Sequence, residues 1–234
     1  MVNNKTIIDN IVNIAFIVIQ KQDFGKTTVS IRGTGVIIQN NKLVSCNHIY
    51  TEIIQQHEEQ NLYCGILETS ETQTNHVQTY KVFKLKKDKV FLERDLILFD
   101  IVDYNGKKGV PNDIFMAEKD MTRDKLLAEE IYMVGFPLGT ELLAMNMGIT
   151  LTVNKGIISQ LKFNNKDNKI DFFLTDKQIN PGGSGSPVFY NDKIIGLSTG
   201  TINQVNKIGE KTINIPSGVG IIRPSNYILD LLNS

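Results

Sequence analysis

Short apolar segments alternate with Gly, Asn and Asp along most of the chain, and these segments define the predicted elements. In chain order they read "NIAFIVIQ", "GTGVIIQ", "KLVSCN", "DLILFDIV", "EIYMVGF", "GITLTVNKGIIS", "KIDFFLTD", "SPVFYN", "KIIGLST" and "GVGIIRP". Val, Ile, Phe and Thr dominate them, and these residues favour strands, whereas the polar residues between them favour turns. The pattern predicts an all-β fold of many short, mostly antiparallel strands.

Helical periodicity is confined to the two ends of the sequence. Within residues 4–12, one apolar face consists of Ile7, Ile8, Ile11 and Val12. Within residues 224–233, which begin with Pro-Ser, the inward positions are Ile228, Leu229, Leu231 and Leu232. Apolar residues at this spacing share one side of a helix. We therefore expect a short helix at each end of a strand-rich chain.

A polar stretch near the middle divides the chain into two strand-rich halves of similar size. Residues 103–123, "DYNGKKGVPNDIFMAEKDMTR", mix charged residues with Gly and Pro, as linkers do. The expected first half, linker and second half are residues 1–110, 111–126 and 127–234. Another polar stretch, residues 54–79, is expected to form a surface excursion within the first half.

The balance of charge excludes several classes of partner. The 234 residues are 41% hydrophobic, which suits a buried core. Lys and Arg number 25, as do Asp and Glu, so no net field favours nucleic acid or an anionic membrane. The basic run "KVFKLKKDKVF" at residues 81–91 alternates with apolar residues, which indicates a strand with one solvated face. We expect neither a nucleic-acid partner nor a membrane partner.

The apolar sequence near the N-terminus does not have the features of a targeting segment. Its longest uninterrupted apolar run, residues 14–19, is far too short to span a membrane. A basic region and a cleavage site of the secretory type are also lacking. We therefore expect a cytoplasmic protein in which Cys46 and Cys64 remain free thiols, since cytosolic thiols are normally kept reduced.

Three histidines limit the search for a general base. His57 and His76 lie in polar stretches and are interpreted as surface residues. The sequence "HEEQN" lacks the second His that a zinc-binding helix needs four positions on, so no metal is expected. His48 follows two apolar segments joined by Asn-Asn, where a side chain at a strand end can face a cleft. Taken alone, such a histidine is more often structural than catalytic.

Two further signals accompany His48. Asp95 precedes the apolar run "LILF", where a carboxylate can accept an imidazole N–H, although a strand-flanking charge is the simpler interpretation. Residues 180–187, "NPGGSGSP", suit either a tight turn or a nucleophile site, because glycines let backbone N–H groups approach a substrate. The octapeptide alone leaves both interpretations open.

Together these stretches resemble the chymotrypsin-fold serine proteases, and particularly the trypsin-like domain of the HtrA proteases. The resemblance is carried by "GTGVIIQNNKLVSCNHIY", "RDLILFDI", "VGFPLG", "GIIS", "FLTDKQINPGGSGSP", "KIIGLSTG" and "GVGIIRPSNYI", and it covers about residues 7–232. The ending "SGSPVF" is also similar to glutamyl endopeptidases. The resemblance implies two antiparallel six-stranded β-barrels with short terminal helices, one barrel in each half, and no cofactor.

The resemblance also implies a catalytic site. It makes His48 the general base and acid, Asp95 its orienting partner and Ser184 the nucleophile, with the backbone N–H groups of Gly182 and Ser184 as the oxyanion hole. The implied activity is hydrolysis of protein or peptide substrates through an acyl-enzyme, with a recruiting or activating protein partner left open. The alternative is a catalytically silent protease-fold protein that binds a partner peptide in its cleft.

The resemblance is less informative about specificity. By loop offset, the primary pocket is expected to be lined by Gln178, Ile179 and Asn180 on one side, Ser198, Thr199 and Gly200 on the other, and Gly218 at the back. None of these residues is a carboxylate, so a buried Lys or Arg side chain would meet no counter-charge. We expect cleavage after small or medium apolar residues, whereas the likeness to glutamyl endopeptidases points to Glu.

Overall fold

Twelve strands among the described residues form two closed six-stranded barrels in which neighbouring strands are antiparallel. The structure is a computed structural model that describes residues 11–20, 26–39, 41–56, 62–72, 75–104, 109–165, 169–208 and 211–234. The predicted all-β architecture of two antiparallel six-stranded barrels is therefore confirmed.

The first barrel contains the strands of the N-terminal half. They are β1 (Ile11–Gln20), β2 (Lys26–Ile38), β3 (Lys42–Cys46), β4 (Leu62–Thr72), β5 (Asn75–Phe91) and β6 (Leu96–Ile101), joined in the order β1-β2-β3-β6-β5-β4. Strands β3 and β6 are apolar on both faces because one face fills the barrel and the other meets the second half of the molecule. Leu43 and Phe99 belong to the interior cluster, whereas Val44 and Leu98 share a cluster with Ile194.

The second barrel repeats this plan with the strands of the C-terminal half. They are β7 (Glu130–Gly135), β8 (Thr152–Phe163), β9 (Ile170–Thr175), β10 (Pro187–Tyr190), β11 (Lys193–Ile208) and β12 (Lys211–Pro224), joined in the order β10-β11-β12-β9-β8-β7. Its interior includes Ile131, Ile158 and Phe173, which are fully buried. The barrels meet along a line where the candidate site residues lie.

Four short α-helices complete the described part of the chain. They are α1 (Asn47–Gln56), α2 (Arg123–Leu126), α3 (Gly139–Ala144) and α4 (Ser225–Asn233). Helix α4 confirms the predicted C-terminal helix, and its Tyr227 and Ile228 join a cluster with Leu98 of the first barrel. Among the described residues, no helix is long and apolar enough to cross a membrane.

The predicted N-terminal helix over residues 4–12 lies mostly outside the described residues. The two positions that are described, Ile11 and Val12, open β1 instead, where Ile11 pairs with Val36 and Val12 with Gly35 of β2. The prediction is wrong for these two residues because pairing along β2 determines their conformation, whereas helical spacing considers only local sequence.

The predicted surface excursion over residues 54–79 is also wrong. Most of its described residues belong to β4 and β5, which are members of the first barrel, and Leu62 and Cys64 of β4 are fully buried. Pairing of β4 with β1 and β5 puts these residues in the barrel wall, which the polarity of the local sequence does not indicate. The run at residues 81–91 lies in β5 as predicted, with Leu85 buried and Lys86 exposed.

The stretch between the barrels is packed against both of them. Val110 bridges to Ile38 of the first barrel, and Phe115 bridges to Ile194 of the second. Two single-turn 3₁₀ helices, Asn112–Ile114 and Glu118–Asp120, lead into α2. Barrel strands occupy residues 11–101 and 130–224, and the exact domain boundaries stay a prediction.

Candidate active site

The pairing of β3 with β6 brings His48 next to Asp95. Cys46, the last residue of β3, pairs with Leu96, the first residue of β6. Beyond this pair, the backbone N–H of Asn47 donates to the carbonyl oxygen of Asp95 at 3.0 Å. His48 lies in the first turn of α1, directly after the strand end at which the sequence predicted it.

Both carboxylate oxygens of Asp95 contact His48. Oδ2 lies 2.7 Å from His48 Nδ1, and Oδ1 accepts the backbone N–H of His48 at 2.8 Å. Asp95 itself has a left-handed backbone with φ of 55°, at the turn between the 3₁₀ helix Leu92–Arg94 and β6. Because Nδ1 is engaged by the carboxylate, Nε2 is the ring nitrogen that remains for proton exchange with another group.

The surroundings of His48 strengthen its hold on a proton. Burial lowers the pKa of His48, but the hydrogen bond and the charge of Asp95, with a smaller contribution from the Glu52 carboxylate, outweigh it and raise the pKa above 6.5. The imidazolium that forms when His48 takes a proton is therefore stabilised by a fixed carboxylate, as general-base catalysis requires.

Ser184 lies in the loop of residues 180–186 between β9 and β10, which we call the serine loop. Four consecutive carbonyl oxygens of this loop accept hydrogen bonds. The four hydrogen bonds are donated by Leu138 N to Pro181 O at 2.7 Å, by Thr34 Oγ1 to Gly182 O at 2.9 Å, by Ser198 Oγ to Gly183 O at 2.7 Å and by Thr34 N to Ser184 O at 2.8 Å. Each peptide unit from Pro181 onward is thus held in a defined orientation.

The orientation of these carbonyls determines where the loop amides point. In a trans peptide unit, the N–H points away from the carbonyl of the same unit. The Pro181 carbonyl faces Leu138, so the N–H of Gly182, which belongs to the same peptide unit, points away from Leu138. The Gly183 carbonyl faces Ser198, so the N–H of Ser184 points away from Ser198. Among the described residues, neither of these two amides donates a hydrogen bond.

Two glycines make this loop conformation feasible. Gly182 and Gly185 both have φ of 83°, in the left-handed region that favours glycine. A Cβ at Gly182 would collide with the carbonyl oxygen of Phe136, and a Cβ at Gly185 with that of Thr34. Glycine is therefore required at 182 and 185, both for the backbone dihedrals and for close contact with the neighbouring segments.

Ser184 and His48 line one cleft of about 300 Å³, together with residues that include Arg32, Glu52 and Glu141. The hydroxyl of Ser184 donates to the carbonyl oxygen of Thr199 at 3.0 Å, and within the described residues it has no hydrogen bond to His48. Catalytic hydrogen bonds often tighten only when substrate is bound, and rotation about χ1 would redirect the hydroxyl. The cleft thus contains His48 and Ser184, with Asp95 bonded behind the histidine.

A separate small cavity contains part of the predicted specificity pocket. Gln178, Ile179, Asn180 and Ser198 line it, and its volume of about 20 Å³ has room for roughly one water molecule. Thr199, Gly200 and Gly218 do not line this cavity. Thr199 instead accepts the Ser184 hydroxyl, and a Cβ at Gly200 or Gly218 would meet open space.

Several residues of the site were absent from the sequence-based prediction. Met133 and Asn154, on β7 and β8, line the small cavity, and no local signal in the sequence indicates this. Thr34 contacts the serine loop from the opposite barrel. The feature of the sequence that could have indicated Thr34 is its single hydroxyl between two glycines at the start of an apolar run, in "GTGVII".

Cys46, His48 and Asp95 are the described residues whose side chains could together approach a metal ion, with ligand atoms within 4.8 Å of one another. Cys46 is fully buried, and burial, followed by the charge of Asp95, raises its pKa well above the usual value. A thiolate ligand is therefore disfavoured, and the thiol donates a hydrogen bond to the carbonyl oxygen of Ser198 at 3.4 Å. The group fits a hydrogen-bonded His–Asp pair better than a metal site.

The remaining predictions about single residues have mixed outcomes. Both cysteines are free, as predicted. Both are also buried, and burial raises the pKa of Cys64 to about 12. His57 lies outside the described residues. His76 lies in β5, and its predicted surface position stays a prediction.

Comparison with known proteins gives a family match across this site. The model of the family described as "Trypsin-like peptidase domain" matches residues 33–197, which include His48, Asp95 and Ser184. The chain is 24% identical over 180 residues to "Putative protease Do-like 3, mitochondrial" of Arabidopsis thaliana, covering 76% of this chain and 27% of that protein.

A second relative from the same plant, "Putative protease Do-like 13", is 29% identical over 86 residues, or 36% of this chain and 16% of that protein. The chain thus spans only about a quarter or less of the length of these relatives. They confirm the resemblance to the HtrA, or Do-like, proteases, and the family model covers more than half of the sequence. The chain belongs to the family of trypsin-like peptidase domains.

Proposed function

We propose that this protein is a serine endopeptidase that uses His48, Asp95 and Ser184 as its catalytic triad. The observation that carries the proposal is the His48 ring, which lies 2.7 Å from the Asp95 carboxylate and lines the same cleft as Ser184. Family membership supports a protease, and the amides of Gly182 and Ser184, which donate no hydrogen bond within the described residues, support acyl transfer as its chemistry.

The proposed reaction begins when a substrate carbonyl carbon approaches Ser184. The hydroxyl leaves the Thr199 carbonyl, gives its proton to His48 Nε2 and forms a bond to that carbon, so the carbonyl electrons move to oxygen. The N–H groups of Gly182 and Ser184 then donate hydrogen bonds to the oxyanion, while Asp95 stabilises the imidazolium.

The second half of the reaction reuses the same groups. The tetrahedral intermediate collapses, the peptide C–N bond breaks and His48 returns its proton to the leaving amine, which gives an acyl-enzyme on Ser184. A water molecule then attacks the ester with His48 as general base. This step releases the acid product and restores the Ser184 hydroxyl.

The small cavity beside Ser184 supports a preference for small or medium apolar side chains before the scissile bond. Its lining residues carry no charge, so Lys, Arg or Glu entering it would lose hydration without an opposite charge. An aliphatic side chain of Val or Leu size gains about 1.5–3 kcal/mol from burial. The volume of about 20 Å³ favours alanine first and requires some widening for larger groups.

A fluorophosphonate probe tests the proposed function directly. Phosphonylation forms an Oγ–P bond and expels fluoride, and it requires an activated serine. We expect one label per molecule in the wild type, none in Ser184→Ala, and full labelling in the matched control Ser159→Ala, which changes an exposed serine of β8. An unlabelled wild type that still binds peptides would favour the silent binding protein instead.

A peptide library separates the proposed specificity from its rival. The expected profile is dominated by Ala and Val before the cleaved bond, with Leu, Ile and Met tolerated. A profile dominated by Glu, Lys or Arg would show that the cavity lined by Gln178 and Ser198 does not receive that side chain.

The proposed substrates are proteins or peptides. The cytoplasmic location expected from the sequence stays a prediction, and the name of the relative Do-like 3 assigns that protein to mitochondria. Fractionation of cells that express the tagged protein would test the location.

A further inference from the structure

We propose that Thr34, on β2 of the first barrel, is a positioning residue that fixes the oxyanion hole of the second barrel. The inference rests on the proposed protease function and assigns a role to a residue outside the triad. Thr34 touches neither the general base nor the nucleophilic oxygen in any hydrogen bond of the described residues. Its contacts are with the backbone that carries the oxyanion amides.

Thr34 is fully buried, and every polar atom of the residue takes part in a hydrogen bond. These bonds are Oγ1 to Gly182 O at 2.9 Å, Phe136 N to Oγ1 at 3.0 Å, the backbone N to Ser184 O at 2.8 Å and Ser45 Oγ to the backbone O at 2.6 Å. The hydroxyl donates once and accepts once. A buried hydroxyl in this arrangement is held in one orientation.

Three of these four bonds cross from one barrel to the other. Thr34 is separated by 148 residues from Gly182 and by 102 residues from Phe136. Only Ser45 belongs to the same barrel as Thr34. The contacts therefore do not follow from the folding of β2 itself, and they fix the serine loop relative to the barrel that carries His48.

The hydroxyl acts at the point of the serine loop where the backbone is intrinsically least hindered. Gly182 and Gly183 are adjacent, and glycine has the freest backbone rotation of any residue. The Pro181 carbonyl is held by Leu138 N on one side of Gly182, and the Gly182 carbonyl is held by Thr34 Oγ1 on the other. With both peptide units fixed, the N–H of Gly182 keeps the direction that an oxyanion would need.

Removing the hydroxyl while keeping the side-chain shape isolates this role. Thr34→Val leaves the Gly182 carbonyl and the Phe136 amide without their partner, whereas Thr34→Ser keeps the hydroxyl. A positioning role predicts that Thr34→Val lowers kcat by about 10- to 100-fold, below the 10²–10³ that loss of a whole oxyanion donor typically causes. We expect KM to change by less than about threefold, and Thr34→Ser to retain kcat within about threefold of wild type.

A second measurement separates positioning from loss of packing. The affinity of a peptide boronate, which forms a tetrahedral adduct on Ser184, should fall in Thr34→Val by the same factor as kcat/KM. Binding of the corresponding uncleaved peptide, measured in the Ser184→Ala background, should be the same with and without the additional Thr34→Val substitution. A purely structural defect would weaken both.

The outcomes are decisive once the wild type has been shown to hydrolyse peptide and to react with the fluorophosphonate probe. Failure of the wild type in those assays contradicts the proposed function, not the role of Thr34. With an active wild type, Thr34→Val with kcat within threefold of wild type would overturn the inference. So would a rise in KM alone, or a loss in Thr34→Ser as large as in Thr34→Val.

Thr34→Ala is the second variant, because its smaller side chain leaves space in which water can replace the hydroxyl. If Thr34→Val does not fold, Thr34→Ala is expected to lose more than about threefold in kcat with unchanged KM, because a water molecule fixes the Gly182 carbonyl less firmly than the hydroxyl does. Unfolding of both variants would overturn the inference, because it would show that Thr34 is needed for folding and not specifically for the oxyanion hole.

Discussion

The two halves of the candidate site are built in different ways. His48 and Asp95 both belong to the first barrel and are joined by two direct hydrogen bonds of 2.7 and 2.8 Å. Ser184 belongs to the second barrel, and its hydroxyl donates to Thr199. Its loop is oriented partly by Thr34 of the first barrel. The half proposed to accept the proton is thus complete within one barrel, whereas the half proposed to carry the nucleophile has contacts with both barrels.

This difference follows from how each half is connected. One strand pairing, between β3 and β6, is enough to bring Asp95 to His48. A local change outside these two strands should therefore have little effect on the contact between Asp95 and His48. The serine loop relies on donors that lie far away in the sequence, such as Thr34 and Leu138. Changes at the barrel contact should therefore affect the nucleophile before they affect the general base.

Removal of either reacting group should cause the largest loss of activity, and the loss should be the same for Ser184 as for His48. We expect Ser184→Ala and His48→Ala each to lower kcat on the order of 10⁶-fold, because a nucleophile and its base act as one unit. Both side chains are partly exposed, so circular dichroism and the thermal midpoint should be unchanged. Substantial hydrolysis by a pure Ser184→Ala sample would refute the assignment of the nucleophile.

Asp95→Asn should lower kcat by about 10⁴-fold. The Asn amide can still accept the backbone N–H of His48, but its NH₂ group would face Nδ1 and favour the wrong imidazole tautomer. The measurement is steady-state kinetics over a pH range, with the structure of the variant checked by circular dichroism. A loss below tenfold would mean that the Asp95 carboxylate does not orient the proton acceptor.

Gly182→Ala tests the nucleophilic half without touching a reacting side chain. A Cβ at φ of 83° is strained and meets the Phe136 carbonyl, so the loop must shift and misplace one oxyanion donor. We expect a loss in kcat of about 10²–10³ with little change in the pKa seen in the pH profile. Gly200→Ala, which meets no atom within 4 Å, is the control for the fold and should keep the thermal midpoint.

Glu52→Gln should have the smallest effect, and only on the proton-accepting half. His48 must be neutral to accept a proton, so kcat/KM rises with pH through the His48 pKa, which lies above 6.5. Loss of the Glu52 charge lowers this pKa, and the acid limb of the profile should move to lower pH. The shift should shrink in high salt because Glu52 is exposed. Glu129→Gln, an exposed carboxylate that does not line the cleft, should give no shift.

The strands that the sequence revealed most clearly are those buried on both faces. Strands β3 and β6 are mostly apolar and are buried at nearly every position, so their prediction needed no tertiary information. Strand β4 was missed because polar residues surround its buried Leu62, Cys64 and Ile66 in the sequence. Helix α1 was missed although Ile49 and Ile53 are buried at helical spacing, because the apolar positions within its ten residues are too few to give a clear helical pattern.

Within the site, local motifs were predictable and long-range contacts were not. His48, Asp95 and Ser184 each lie in a recognisable short stretch, and the structure puts the first two in direct contact. The partner of the Gly182 carbonyl is Thr34, which lies 148 residues away. No single sequence indicates such a pair, because it depends on how the finished barrels meet.

The position of helix α4 has a consequence for the order in which the molecule is made. Its Tyr227, Ile228 and Leu231 share a hydrophobic cluster with Leu96 and Leu98 of the first barrel. On the ribosome, the first barrel emerges long before these residues, and N-terminal domains usually begin to fold first. The part of this face that α4 covers must therefore stay exposed until late in synthesis, so the packing of the first barrel is completed only after residues 225–233 leave the exit tunnel.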